Sequence, residues 1–189
     1  MAKIGLNNFR YAIATISEST GAISYGTVKT PGKAISFSFE PTTSDARLYA
    51  DDGLAESDNR VTGGTCTMGI DRLDTETLAE ILGHEYDSNT QEVISNANDT
   101  APYIGVGRIV RIIQDGNQYF RATFLAQCKF AEPSASDNTR GESVEFSTYE
   151  LSGTVLIPTD GNWRKEKMFT TLANAISYLE GLFNPSPSV

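Results

Sequence analysis

The clearest pattern of apolar and polar positions lies in residues 103–130, where two strand-like runs flank the dipeptide Asp115-Gly116. Asp and Gly tolerate the positive φ angles that a two-residue hairpin turn requires. The pattern therefore predicts a long antiparallel hairpin with a fixed register. The predicted pairs are Gln114 with Asn117, Ile109 with Ala122, Gly107 with Phe124 and Gly105 with Ala126.

The second strand of this hairpin is predicted to have two different faces, because side chains alternate along a strand. One face is apolar throughout: Phe120, Ala122, Phe124, Ala126, Cys128 and Phe130. The other face is mixed: Tyr119, Arg121, Thr123, Leu125, Gln127 and Lys129. The apolar face needs a second layer. The mixed face suits either a neighbouring subunit or a wet cavity.

The rest of the chain predicts further strands and two helices. Strands are expected at residues 9–14, 25–29, 34–40, 60–70 and 144–157, and Ile35, Phe37 and Phe39 should share one face of the third of these. Asp74 or Thr75 should cap a short helix over residues 74–82, and an amphipathic helix should cover residues 171–183. The predicted fold is mainly β: a single-domain β-sandwich or barrel with one short flanking helix and a C-terminal helix.

Residues 41–59 interrupt the strand pattern with a polar, acidic segment that contains Leu48, Tyr49 and Leu54. A connection of this length is usually functional or disordered. One interpretation is a flexible surface loop. The other is a loop or extended hairpin that becomes ordered against another chain, because a disordered loop has little use for apolar side chains.

Composition and charge narrow the function classes. With 39% hydrophobic and 21% charged residues, the chain is typical of folded soluble proteins. The formal net charge of −9 disfavours binding to nucleic acid through its phosphates. No run approaches the ~20 apolar residues of a membrane span, and the N-terminal residues lack the pattern of an export signal, so we expect a cytoplasmic chain. Cys66 and Cys128 are expected to be buried free thiols.

Motifs for catalysis or cofactor binding are missing from the sequence. His84 is the only histidine, and we expect it to cap the first helix or lie at the surface. Nucleophile-elbow, phosphate-loop and dinucleotide-binding motifs do not occur, and neither cysteine has metal-ligand spacing. The sequence therefore predicts no enzyme, no cofactor and no metal, and its mixed hairpin face points to assembly.

Several segments together resemble one known family. They are KIGLNNFRYAIAT (residues 3–15), GKAISFSFE (32–40), LYADDGLAESDN (48–59), NANDTAPYIGVGRI (96–109), FAEPSASDNTRGESVEFSTYELSGTV (130–155) and AISYLEGLF (175–183). In this order they resemble the major tail protein of long-tailed, non-contractile bacteriophages and prophages of Gram-positive bacteria.

The resemblance implies a tail tube subunit that forms hexameric rings, and these rings stack into a hollow tube through which DNA passes without specific binding. Residues 1–189 would be one tube domain, with a long inter-ring loop at residues 41–59 and a flexible tail at residues 184–189. The implied partners are other copies of the chain and the tape measure, tail terminator and distal tail proteins, with no membrane. The implied location is the virion tail, assembled in the host bacterial cytoplasm.

The resemblance also gives roles to particular residues. The implied inter-ring contacts are Leu48, Tyr49, Asp51, Asp52, Leu54 and Glu56, and Asp45 and Asp58 join the acidic members as candidates for salt bridges or for the lumen wall. The candidates for the lumen or a subunit interface are Arg108, Val110, Tyr119, Arg121 and Leu125. An acidic lumen would repel DNA and keep it from sticking.

Three alternatives remain open on sequence alone. The tube could belong to a phage-tail-like bacteriocin or injection device. The chain could be a monomeric β-sandwich that binds cells or glycans, although Trp163 is its only tryptophan and its loops are poor in aromatic residues. The third alternative is a carboxylate-driven hydrolase, which lacks any supporting motif.

Overall fold

The structure, a computed structural model, describes residues 2–50, 53–134 and 148–184, with only the backbone described for residues 46–50 and 53–58. These residues contain ten strands and two helices. The elements are β1 (Ala2–Ile16), β2 (Ile23–Tyr25), β3 (Ala34–Ala50), β4 (Gly53–Ile70), α1 (Thr75–Leu82), β5 (Glu85–Asp87), β6 (Glu92–Ile94), β7 (Tyr103–Gln114), β8 (Asn117–Phe130), β9 (Tyr149–Val155), β10 (Arg164–Phe169) and α2 (Leu172–Phe183).

All strand pairs are antiparallel, and eight of the strands form one sheet. Its order is β2-β1-β7-β8-β9-β4-β3, with β10 paired to β8, while β5 and β6 form a separate two-stranded sheet. The prediction of a mainly β chain with one short helix and a C-terminal helix is therefore confirmed. The last half of the predicted strand 144–157 is β9, and residues 135–147 lie outside the described residues.

The central hairpin is confirmed over most of its length. Asp115 and Gly116 form the turn with φ angles of 52° and 77°, and Gln114 pairs with Asn117, Ile109 with Ala122 and Gly107 with Phe124. The predicted pair of Gly105 and Ala126 is wrong. The register shifts between Val106, which pairs with Leu125, and Ile104, which pairs with Cys128. One extra residue of β8 is accommodated there as a β-bulge.

The bulge changes which face the later residues of β8 occupy. Phe120, Ala122, Phe124 and Ala126 pack under helix α2, whereas Cys128 and Phe130 join Leu125 in a different cluster. The predicted continuous apolar face is therefore split between two cores. The bulge also marks a change of neighbour, because β8 pairs with β10 through Phe120–Leu125 and with β9 through Cys128–Phe130.

The first core lies inside a curled sheet. It joins Phe9 of β1 to Met68 of β4 and Val106 of β7, together with Leu151 of β9 and Ile81 of α1. Strands β1 and β4 are four positions apart in the sheet order, about 19 Å if the sheet were flat. Side chains from the two can share one core only because the sheet bends over on itself.

The second core lies on the other face of β7 and β8, where α2 packs. Thr171 caps α2 by accepting a hydrogen bond from the Asn174 N–H, and Ala175, Leu179 and Phe183 are buried, as the sequence predicts. A Cβ at Gly107 would lie 2.7 Å from Leu179 Cδ1, so this glycine allows the close approach of α2. The close neighbour of Gly107 is therefore Leu179 and not its cross-strand partner Phe124.

Two sequence interpretations of local structure need correction. Ile35 is 50% exposed and does not share the inward face of Phe37 and Phe39, because a register shift between Ala34 and Ser36 turns it outward. Strand β10 was not predicted, because its sequence RKEKMF shows no alternation of apolar and polar residues. By contrast, α1 spans the expected residues, with Asp74 at its N-cap and Gly83 at its C-cap.

The two cysteines are free and buried, as expected. Cys66 on β4 and Cys128 on β8 flank β9, where their register partners are Gly153 and Val155. Their thiols meet in the first core, where the hydrogen bond that the Cys128 thiol donates to Cys66, together with burial, raises the pKa of the Cys128 thiol. Both side chains therefore act as core packing groups.

Candidate interaction surfaces

Strands β3 and β4 extend beyond the rest of the sheet as a two-stranded ribbon, defined here as residues 43–61. Strand β4 pairs with β9 only from Gly64 to Ile70, so in the described part of the chain the ribbon strands pair only with each other. From Thr43 to the last residue of β3 there are eight residues, about 27 Å of extended chain. A two-stranded hairpin is at best marginally stable alone in water, so the ribbon is suited to a surface that would support it.

The outer edge of β3 adds a second surface of the same kind. No other strand of the described chain pairs with that edge along the 17 residues of β3. A long edge strand presents unpaired N–H and C=O groups, which natural proteins cover or use for pairing with another chain. The ribbon and the edge belong to the same strand, so one partner could contact both.

The ribbon contains most of the predicted inter-ring residues. Of the two forms considered for residues 41–59, the structure has the extended hairpin, in which Leu48 is opposite Glu56 and Tyr49 is opposite Leu54. Asp58 is opposite Ala46, and Asp45 is exposed. Asp51 and Asp52 lie outside the described residues. The predicted flexible tail also lies there, from residue 185 onward.

The five predicted lumen or interface residues of the central hairpin separate into three groups. Arg108, Val110 and Arg121 line one cavity of about 350 Å³. Tyr119 lies outside it, opposite Ile112 and near the hairpin turn. Leu125 is only 2% exposed and packs in the first core. In this structure Leu125 therefore faces the interior of its own chain, which corrects its interpretation as a surface residue.

This cavity is the polar end of the curled interior. Arg108 and Val110 lie on the same face of β7 as Val106, and Arg121 and Thr123 lie on the same face of β8 as Leu125. Towards the hairpin turn, cations thus replace the apolar side chains of the first core. Lys3 of β1 and Arg164 of β10 also line the cavity. Neither Lys3 nor Arg164 was predicted to line a cavity, because β10 was not predicted and β1 was predicted to begin at residue 9.

The His84 ring lies between two carboxylates and does not cap the helix, whereas the His84 backbone N–H donates to the Ala79 carbonyl at the helix end. Its Nδ1 is 2.7 Å from Asp99 Oδ2 and its Nε2 is 3.0 Å from Glu132 Oε2. The helix is closed by the backbone of Gly83, whose N–H donates to the Ala79 carbonyl. Hydrogen bonds to Asp99 and Glu132 raise the pKa of the His84 ring above its ordinary value of 6.5. The ring joins the end of α1 to two distant loops.

We expect this link to make the stability of the protein depend on pH. Because the folded-state pKa of His84 is raised, its contribution is complete below about pH 6.5 and is lost as the pH rises through the folded-state pKa. His84 is the only histidine, so one ring signal in an NMR titration reports that pKa directly. Urea unfolding of the wild type and His84→Gln over the same pH range should show that the difference between them shrinks with rising pH. A ring pKa at or below 6.5 would contradict the interpretation.

The comparisons with known proteins give no assignment: no protein-family model matches the sequence, and no curated protein matches it significantly. Within the described ranges, no group of His, Cys, Asp and Glu side chains is arranged to hold a metal ion. No helix there has the length and apolar character needed to span a membrane.

Proposed function

We propose that this chain is the structural subunit of a phage tail tube, in which hexameric rings stack into a hollow tube for DNA. The observation that carries the proposal is the ribbon of residues 43–61, which extends beyond the sheet and pairs with no third strand among the described residues. A ribbon of this kind suits a role in reaching a neighbouring copy. The proposal includes the assignment of the fold as a β-sandwich or barrel of the kind found in phage tail tubes.

The free edge of β3 supports the same function. Contacts that join different surfaces of identical copies close into rings or continue as filaments, and a tube needs both kinds. The edge of β3 could pair with a neighbour within a ring, while the ribbon reaches the next ring. These two roles use both surfaces that have no further strand partner in the described part of the chain.

The acidic charge of the chain favours a lumen that repels DNA, since each copy brings a formal charge of −9. The cationic cavity around Arg108 and Arg121 does not suit such a wall, because it would attract phosphates. In the proposed tube we therefore place this cavity at a contact between subunits and not in the lumen.

Negative-stain electron microscopy of the purified protein over a range of concentrations tests the proposal. We expect rings with sixfold views, and tubes at higher concentration. A chain that stays monomeric at high concentration, and also in the presence of the tail proteins encoded beside it, would contradict the proposal. A monomeric binding domain would then be the better interpretation.

A further inference from the structure

The cavity at the polar end of the curled interior contains an unusual concentration of positive charge. Lys3, Arg108, Arg121 and Arg164 line it, and among its described lining residues the only carboxylate is Glu166. The chain as a whole has 24 acidic and 15 basic residues, so a cluster of four cations has the opposite sign to the net charge of the chain. Four strands, β1, β7, β8 and β10, bring these cations together.

Arg108 is the innermost feature of this site. It is half-buried, and its guanidinium carbon lies 3.7 Å from the centre of the Phe37 ring. Within the described chain it forms no hydrogen bond or ion pair, yet none of its nitrogens is sealed from solvent. Burial lowers the pKa of Arg108 to about 10, and Arg164 adds to the effect, while Glu166 opposes it. The donors of Arg108 are thus open to the cavity.

Glu166 does not balance the charge of Arg108, with which it forms no hydrogen bond or ion pair. It accepts a hydrogen bond from Thr123 Oγ1 at 3.1 Å, and its other oxygen is 4.0 Å from Arg164 Nη2. Guanidinium groups bind the planar edge of a carboxylate or phosphate with paired hydrogen bonds, and such charge-assisted bonds are the stronger kind. An additional anion would therefore be stabilised in the cavity.

We infer that this cavity is an oxyanion-binding site, with Arg108 and Arg164 as its principal ligands and with Lys3 and Arg121 also in its lining. The same chemistry admits two sources. The anion is either a free phosphate-type oxyanion or a carboxylate presented by a second copy of the chain. The site itself does not depend on the proposed tube.

Calorimetric titration of dispersed protein with inorganic phosphate, at constant ionic strength held with chloride, tests the site. We expect one phosphate per chain and binding about tenfold or more weaker in Arg108→Gln and in Arg164→Gln. Arg72→Gln is the matched control, because Arg72 is 78% exposed and lies outside the cavity, and it should bind phosphate as the wild type does. Circular dichroism establishes that each variant is folded.

Thermal melting gives an independent measurement. Phosphate at ten times its dissociation constant should raise the melting temperature of the wild type and Arg72→Gln by about 4 °C and leave Arg164→Gln nearly unchanged. Equal stabilisation of all three would show a general salt effect and overturn the inference. The absence of phosphate binding to the wild type would overturn it as well.

A second experiment identifies the source of the anion under conditions in which the chain assembles. If a second copy provides a carboxylate, phosphate should compete with assembly and Arg164→Gln should raise the protein concentration at which assembly begins. If the anion is free, phosphate should leave that concentration unchanged. Both results support the site and assign its ligand. A chain that binds phosphate but never assembles would count against the proposed tube alone.

Discussion

Replacing residues 43–62 with Asn-Gly should prevent rings from stacking into tubes while leaving the fold of the chain intact. Thr42 and Gly63 face each other across the two strands, so a two-residue turn can join them. Asn-Gly is the preferred sequence for such a turn. In the described part of the chain the removed segment pairs with no third strand, so its loss should cost the rest of the sheet little. Light scattering and electron microscopy should show single rings where the wild type forms tubes.

The control for this variant shortens another surface hairpin. Replacing residues 88–91, between β5 and β6, with Asn-Gly should leave assembly at the level of the wild type. The double variant Tyr49→Ala, Leu54→Ala is a smaller change to the ribbon, at two positions that face each other. If the ribbon replacement melts like the wild type and still forms tubes, the ribbon does not form the contact between rings.

The second large effect is expected for Phe124→Ala, which should lower the free energy of unfolding by about 4 kcal/mol and the melting temperature by about 10 °C. Phe124 is 3% exposed, and its ring centre lies 4.9 Å from that of Phe183 and 5.5 Å from that of Tyr25. Both contacts are edge-on, the geometry that adds attraction beyond simple burial. Truncation would leave a cavity between β8 and α2.

Chemical unfolding followed by circular dichroism measures this change. Ile113→Thr, at a β-branched position that is 41% exposed, is the control and should stay within about 0.5 kcal/mol of the wild type. A loss below about 1 kcal/mol for Phe124→Ala would mean that α2 does not cover this face of the sheet. Such a result would place the second core elsewhere.

Local chemistry explains which parts of the fold were predictable. The Asp115-Gly116 turn fixed the register of the hairpin near it, and the stripe of apolar residues at helical spacing located α2. The bulges near Ile35 and after Leu125 were not visible, because an extra residue changes the face without changing the apolar character of the segment. Prediction was therefore reliable close to a turn or cap and failed beyond a bulge.

The candidate surfaces follow the same rule. The polar composition of residues 41–59, with Leu48, Tyr49 and Leu54 among them, indicated a functional segment. The pairing of these residues as strands depends on the neighbouring β-sheet. Arg108 and Arg121 line the same cavity, as their place on the mixed face of the hairpin indicated, and their role at a lumen or subunit interface stays a prediction. Their partners Lys3 and Arg164 come from sequence positions more than 100 residues apart, and only the tertiary structure brings them together.

The strand order has a consequence for the time at which this protein can fold. Strand β1 ends at residue 16 and has β7, which begins at residue 103, as its main neighbour. At translation rates of about 5–20 residues per second, β1 waits on the order of 5–20 s for its partner to be synthesised. Pairings this distant along the chain also slow folding itself. The nascent chain therefore carries an unpaired strand while the ribbon hairpin, whose two halves are adjacent, can already form.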